Sequence, residues 1–264
     1  MSTNKILLSV AMVATAASAH ADVTVHTTTV GKAIVDLSGN GISQIKGTRQ
    51  RTDQMVGSKN QALIIDIDGR RFVDLDVKGK KATVTPLASI ADELQKVGVG
   101  TINATLTKTA QTRQVAGFPC NVHDVNVSLP FSPTGQAGQG LDLTMVMTGT
   151  VCLSTAAPGL ADYQNFYKAA ADSGFIFGDP RTAKSPTGAA QAKAYAELTR
   201  KMAEAGMALE SEISIQASGD NPMAAMFTKL AKSNIKTTVT SIATGDLPAE
   251  SFDVPPDYKV KTQK

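Results

Sequence analysis

Apolar and polar residues alternate with a period of two in one run after another along this chain, the signature of strands with one buried face. Asp22–Val30, Ile42–Arg49, Asn60–Ile67, Arg71–Val77 and Lys81–Thr85 read as strands in succession. Leu63, Ile65 and Ile67 share one face of the third run. Gly39-Asn40-Gly41, Asp68-Gly69 and Gly79 mark the turns, so this portion predicts a β-meander. The polar stretch Arg49–Met55 fits neither period. Thr101–Thr109 alternates again, as do Met207–Ala217 and Asn234–Ala243. The helical period appears in four places: Leu87–Val97, Tyr163–Ser173, Ala189–Ala205 and a short segment after Asn221-Pro222 that carries Met223, Met226, Phe227 and Leu230. Phe177–Gly188 has no periodicity and reads as a loop. Together these predict an α+β domain over 22–264, with a large, twisted, mainly antiparallel sheet and four short helices.

The only two cysteines, Cys120 and Cys152, sit in two strand runs joined by the turn-rich segment Ser132–Gly140. Strands joined in this way pair antiparallel. Cys120 shares its face with Asp124, Asn126 and Ser128; Val125, Val127 and Leu129 take the other. Cys152 lies opposite the face of Leu141, Leu143, Met145, Met147, Val151 and Leu153. Both cysteines therefore fall on the more polar side of neighbouring strands, which predicts a cross-strand Cys120–Cys152 disulfide.

The N-terminus supports that expectation. Lys5, the apolar stretch Ile6–Ala19 and the small-residue options Ala17-Ser18-Ala19 and Ala19-His20-Ala21 read as a secretory signal peptide over 1–21, cut near Ala21. The apolar stretch is shorter than the ~20 residues of a spanning helix. The expected address is periplasmic or secreted, where disulfides persist; the alternative for the cysteines is a pair of buried free thiols. The formal net charge is only +3 and no basic block stands out, which gives nucleic-acid binding no electrostatic support. No later run predicts a membrane span.

Several of these segments carry a resemblance: the export signal, the Ile65-Asp66-Ile67-Asp68-Gly69 hairpin, Val115-Ala116-Gly117-Phe118-Pro119-Cys120, and the terminal Phe252, Val254-Pro255 and Tyr258-Lys259. With them the chain resembles a bacterial family, the domain of unknown function numbered 4412, which is similar to the LolA-like lipoprotein carriers. Pro255-Pro256-Asp257 departs from the glycine turn more usual there. The resemblance implies a curved antiparallel sheet, an incomplete barrel with helices over its concave side, and a lipophilic pocket. It transfers no catalytic residues.

Candidate chemistry is sparse. His123 shares the face of Val125 and Val127 and reads as a core histidine. No nucleophile elbow, phosphate loop or zinc-ligand spacing occurs, so no cofactor, metal or enzymatic activity is expected. Asp66, Asp68, Asp74 and Asp76 crowd one hairpin beside Arg70 and Arg71. They read as a solvated hairpin, with calcium binding or a hydrolase using Asp66, Asp68 and Asp74 as the alternatives. Leu63, Ile65, Met145, Met147, Ile213 and Ile215, with Met223 and Phe227 above them, are the candidate lining of an acyl-chain site, methionine being adaptable to irregular apolar ligands. The leading expectation is a non-enzymatic periplasmic protein that binds a lipid or other hydrophobic small molecule in the mouth of the half-barrel. The other is an envelope interaction protein with a filled core, whose partner is another envelope protein.

Overall fold

The computed structural model describes residues 22–32, 36–56, 59–86, 103–131, 143–173, 186–218 and 233–263. Twelve strands form one sheet in the order β12-β6-β5-β4-β3-β2-β1-β11-β10-β9-β8-β7. They are β1 (Val23–Lys32), β2 (Gly39–Lys46), β3 (Arg49–Val56), β4 (Lys59–Asp66), β5 (Arg71–Asp76), β6 (Lys81–Pro86), β7 (Asn103–Val115), β8 (Phe118–Phe131), β9 (Leu143–Ser154), β10 (Met207–Ser218), β11 (Ser233–Thr244) and β12 (Lys259–Thr262). Helices α1 (Leu160–Asp172) and α2 (Pro186–Ala205) lie between β9 and β10. The fold is thus a large, curved, open and mainly antiparallel sheet with covering helices. The predicted meander is present as β1–β6, and the sheet is completed where β1 pairs with β11. The exception to antiparallel pairing is β12, which lies parallel to β6.

Curvature shows in one contact. Strands β7 and β11 are four steps apart in the sheet, about 19 Å if it were flat, yet they touch. The sheet remains open, with β12 and β7 at its two ends.

Residues opposite one another across a strand pair share a face, so the registers divide the sheet into two surfaces. The first carries Ile45, Ile65, Phe72, Val125, Val127, Met147 and Val151 and receives both helices. Helix α1 buries Phe166 and Ala170 against it. Helix α2 places Leu198 with Tyr195 and Met202 against Val125, Val127 and Met147. Gln164 Nε2 donates to Ala203 O at 2.7 Å and links the helices. The second surface carries Ile64, Val73, Leu75 and Ala82, capped by Val254 and Tyr258 of the C-terminal segment. That segment is held by Arg51 Nη1 donating to Ser251 O at 3.1 Å and by Arg49 stacked over buried Phe252. The C-terminal motif is therefore a packing strap; Tyr258 N–H closes its proline turn onto Pro255 O at 3.1 Å.

Several expectations change. The polar Arg49–Met55 stretch is a strand, because β2 and β4 on either side satisfy its backbone and Arg51 pairs with Asp53 through two nitrogens, at 2.8 and 2.9 Å. Helix α2 starts at Pro186 rather than Ala189; a proline at the first helical position lacks only an N–H that would have had no intrahelical partner. The predicted helices at Leu87–Val97 and after Asn221, the rest of the Phe177–Gly188 loop, and the signal peptide lie outside the described residues.

Cys120 and Cys152 form the disulfide between β8 and β9, with 5.3 Å between their Cα atoms. Both are only 2% exposed and belong to an apolar cluster with Val115 and Val122. The face that reads as polar in sequence is thus a core face at this end of the sheet.

Candidate ligand-binding site

The four central strands β10, β11, β1 and β2 repeat one pattern under α1. On each, an apolar residue is followed one pleat away by a hydroxyl: Leu209 and Ser211, Val239 and Thr237, Val25 and Thr27, Ile45 and Ser43. The two positions are about 7 Å apart along a strand, and in register Val239 stands opposite Thr27 and Val25 opposite Ser43, so the apolar row and the hydroxyl row run side by side on a diagonal across β11, β1 and β2. Tyr163 and Tyr167 of α1 roof both rows, leaving a partly open cavity of about 130 Å³. For scale, an apolar cavity of roughly 150 Å³ takes up a benzene-sized molecule.

Polar contacts define the hydroxyl side. Gln50 is 4% exposed, and its Nε2 donates to Ser43 Oγ and to Tyr167 Oη, each at 2.9 Å. Thr27 Oγ1 donates to Gly41 O at 3.4 Å, and Thr29 and Thr237 share a hydroxyl–hydroxyl bond of 3.1 Å. Burial pushes the Tyr163 and Tyr167 phenols up from their ordinary value, although the Gln50 bond partly opposes this for Tyr167. Glu210 contributes to the wall, but its register partner is Cys152, so its side chain belongs to the other surface. There Arg113 Nη1 and Lys236 Nζ donate to it, the latter at 3.0 Å.

None of Leu63, Ile65, Met145, Met147, Ile213 and Ile215 is among the residues that line this cavity. Leu63 and Ile65 pack in the cluster under α1, whereas Met145, Met147, Ile213 and Ile215 pack in the one under α2. They are therefore split between two packed clusters. Met147 also receives the Tyr195 hydroxyl on its sulfur at 3.1 Å. Met223 and Phe227 lie outside the described residues. His123 is buried, its Nδ1 3.0 Å from Asn121 O.

The aspartates do not assemble. Asp66 pairs in register with Arg71, and Asp74 with Leu63, so the two point to opposite faces of the hairpin. Asp66 takes the Gly69 N–H at 2.8 Å and Arg71 Nε at 2.9 Å; Asp68 accepts from Thr48 at 2.6 Å; Asp76 caps the Gly79 turn at 2.8 Å. Asp66 and Asp76 thus close turns, Asp66 also forms an ion pair, and Asp66 and Asp74 do not meet as an acid pair. Among the described residues no helix is long and apolar enough to cross a membrane.

No protein-family model matches the chain, and no curated protein matches it. Membership of the family numbered 4412 therefore stays an expectation. Among solved structures, an uncharacterized conserved protein from Thermus thermophilus is similar over 93% of this chain and 92% of its own, at 8% identity and a TM-score of 0.40. A LolA superfamily protein from Nitrosomonas europaea is similar over 88% and 89%, at 8% identity and a TM-score of 0.27.

Proposed function

We propose that this chain is an exported, non-enzymatic binding protein that holds a lipophilic or amphipathic molecule between α1 and strands β10, β11, β1 and β2. The observation that carries the reading is the apolar row roofed by Tyr163 and Tyr167 and bordered by hydroxyls. Concave, mainly apolar surfaces with a few convergent polar groups are the usual form of a small-molecule site. The cavity takes only part of a lipid, so an acyl chain would enter it by one segment. The buried Cys120–Cys152 bridge suits an oxidising compartment. The test is native mass spectrometry of the protein purified from the exported fraction, before and after organic extraction. A bound mass removed by extraction is expected. A clean apo mass, together with no displacement of a fluorescent apolar probe by lipids, would overturn the reading.

One observation favours a second reading, an envelope interaction protein. Val30, Ile42 and Met55 are 63, 38 and 52% exposed on the surface away from the helices. A clean apo mass combined with loss of a specific cross-linked envelope partner on Val30→Ser and Met55→Ser would support it.

A further inference from the structure

We propose that this site selects amphiphiles whose polar group is uncharged, such as monoacylglycerols, over fatty-acid and phospholipid anions. The inference rests on the binding reading above and names the class of ligand. Among the described residues no lysine or arginine lines the cavity. Three lysines stand next to lining positions in the chain: Lys168 follows Tyr167 on α1, whereas Lys46 beside Ile45 and Lys236 beside Thr237 emerge on the opposite surface. There Lys46 Nζ is bound to Asp22 and Asp246 at 2.6 and 2.7 Å, and Lys236 to Glu210. What the site offers a polar group is hydroxyls. Ser43 Oγ accepts from Gln50, which leaves the serine proton to donate to a ligand oxygen. Ser211, Thr27 and Thr237 extend the same row. A hydroxyl or ester oxygen can exchange its water bonds for these at little net cost. A carboxylate or phosphate would lose its hydration beside buried phenols without a counter-charge, which is expensive. The raised phenol pKa values agree with a site that disfavours negative charge. An apolar arm on the Val25, Val239 and Leu209 row therefore leads to a neutral head on the hydroxyl row.

The test uses the mature, oxidised, delipidated protein carrying a fluorescent apolar probe. A monoacylglycerol and the fatty acid of the same chain length compete for it near neutral pH, both below their aggregation concentrations. The monoacylglycerol should displace the probe at least about tenfold more strongly, a difference of about 1.4 kcal/mol. Thr237→Lys, which places a cation on the hydroxyl row, should tighten fatty-acid binding and narrow that ratio. Val25→Trp, which fills the cavity, should weaken both ligands in protein whose circular dichroism is unchanged. Equal or tighter fatty-acid binding to the unmodified protein overturns the head-group selection and leaves the binding function standing. Displacement by neither lipid overturns the binding function itself. Probe and lipid binding unaffected by both folded variants would place the site elsewhere and overturn the assignment. Should Val25→Trp not fold, Thr237→Lys alone decides: an unchanged ratio refutes the proposal.

Discussion

Arg113 and Glu210 form an ion pair that spans three strand boundaries, from β7 to β10, on the same face as the Cys120–Cys152 bridge. In register, Arg113 stands opposite Cys120 and Glu210 opposite Cys152. Only a curled sheet lets two side chains so far apart in strand order meet. Glu210 is the more buried partner, its side chain 12% exposed, and Lys236 holds its other oxygen. Burial alone would push its carboxyl up. The bonds from Lys236 and Arg113 outweigh that and hold it below its ordinary 4.5. A depressed native pKa means that the unfolded chain binds more protons, so this stabilisation is full above about pH 4.5 and is lost as pH falls through the native value. Glu210→Gln should cost about 1 kcal/mol at neutral pH, both cations being partly solvated. It should also flatten the acid limb of stability. Urea midpoints of the two proteins between neutral pH and pH 3 check this; parallel curves would refute it.

The bridge beside this pair spans 32 residues of sequence. Closing a loop of that size restricts the unfolded chain by about 3–4 kcal/mol. Reduction, or Cys120→Ala with Cys152→Ala, should lower the urea midpoint accordingly. Thiol titration of the denatured, unreduced protein should find no free thiol; two per chain would refute the pairing.

How far the sequence disclosed this fold depends on where the partner of each residue lies. Val125 and Val127 announce a buried face because their neighbours along the strand, Asp124, Asn126 and Ser128, are polar. The cysteines could be paired because one turn-rich segment joins their strands. The Arg49–Met55 stretch could not be assigned, since its stability comes from β2 and β4 rather than from an apolar stripe of its own. The cavity was illegible for a stronger reason. Its two rows draw one apolar residue and one hydroxyl from each of four strands, and they come together only once β1 pairs with β11, which sets Thr27 opposite Val239. Val25 and Thr27 alone look like any strand. Met145, Met147, Ile213 and Ile215 stand out in the sequence instead, and they pack in the cluster under α2.

Gly159 sets the height of α1 over the sheet. Its φ is +70°, and a Cβ there would lie 2.3 Å from Val23 Cγ2 and 3.1 Å from Thr244 Cγ2. Val23 is fully buried, so it cannot swing aside into solvent. Gly159→Ala adds the left-handed backbone penalty of about 1 kcal/mol to this overlap, and the sum should exceed about 2 kcal/mol once the cost of overpacking is included. The expected readout is a lower unfolding midpoint together with weaker probe binding, because a helix lifted from Val23 also lifts Tyr163 and Tyr167 off the cavity. Unchanged stability would show that α1 is not seated through this contact.

Gln50 and Tyr167 provide the finest adjustment of that roof. The buried amide donates through one nitrogen to the phenol above it and to Ser43 beside it. Tyr167→Phe removes one acceptor and leaves the aromatic packing against Phe166 and Tyr163 in place. The loss should be about 1–2 kcal/mol, the range for a buried polar group that loses a partner. Ser43→Ala removes the other acceptor at similar cost, and it also takes a donor from the hydroxyl row. The two variants should therefore separate in binding although they match in stability. Tyr167→Phe should leave the preference for an uncharged head intact, and Ser43→Ala should weaken the neutral lipid selectively. Equal effects of both variants on the monoacylglycerol would mean that Ser43 serves the roof alone and donates nothing to the ligand.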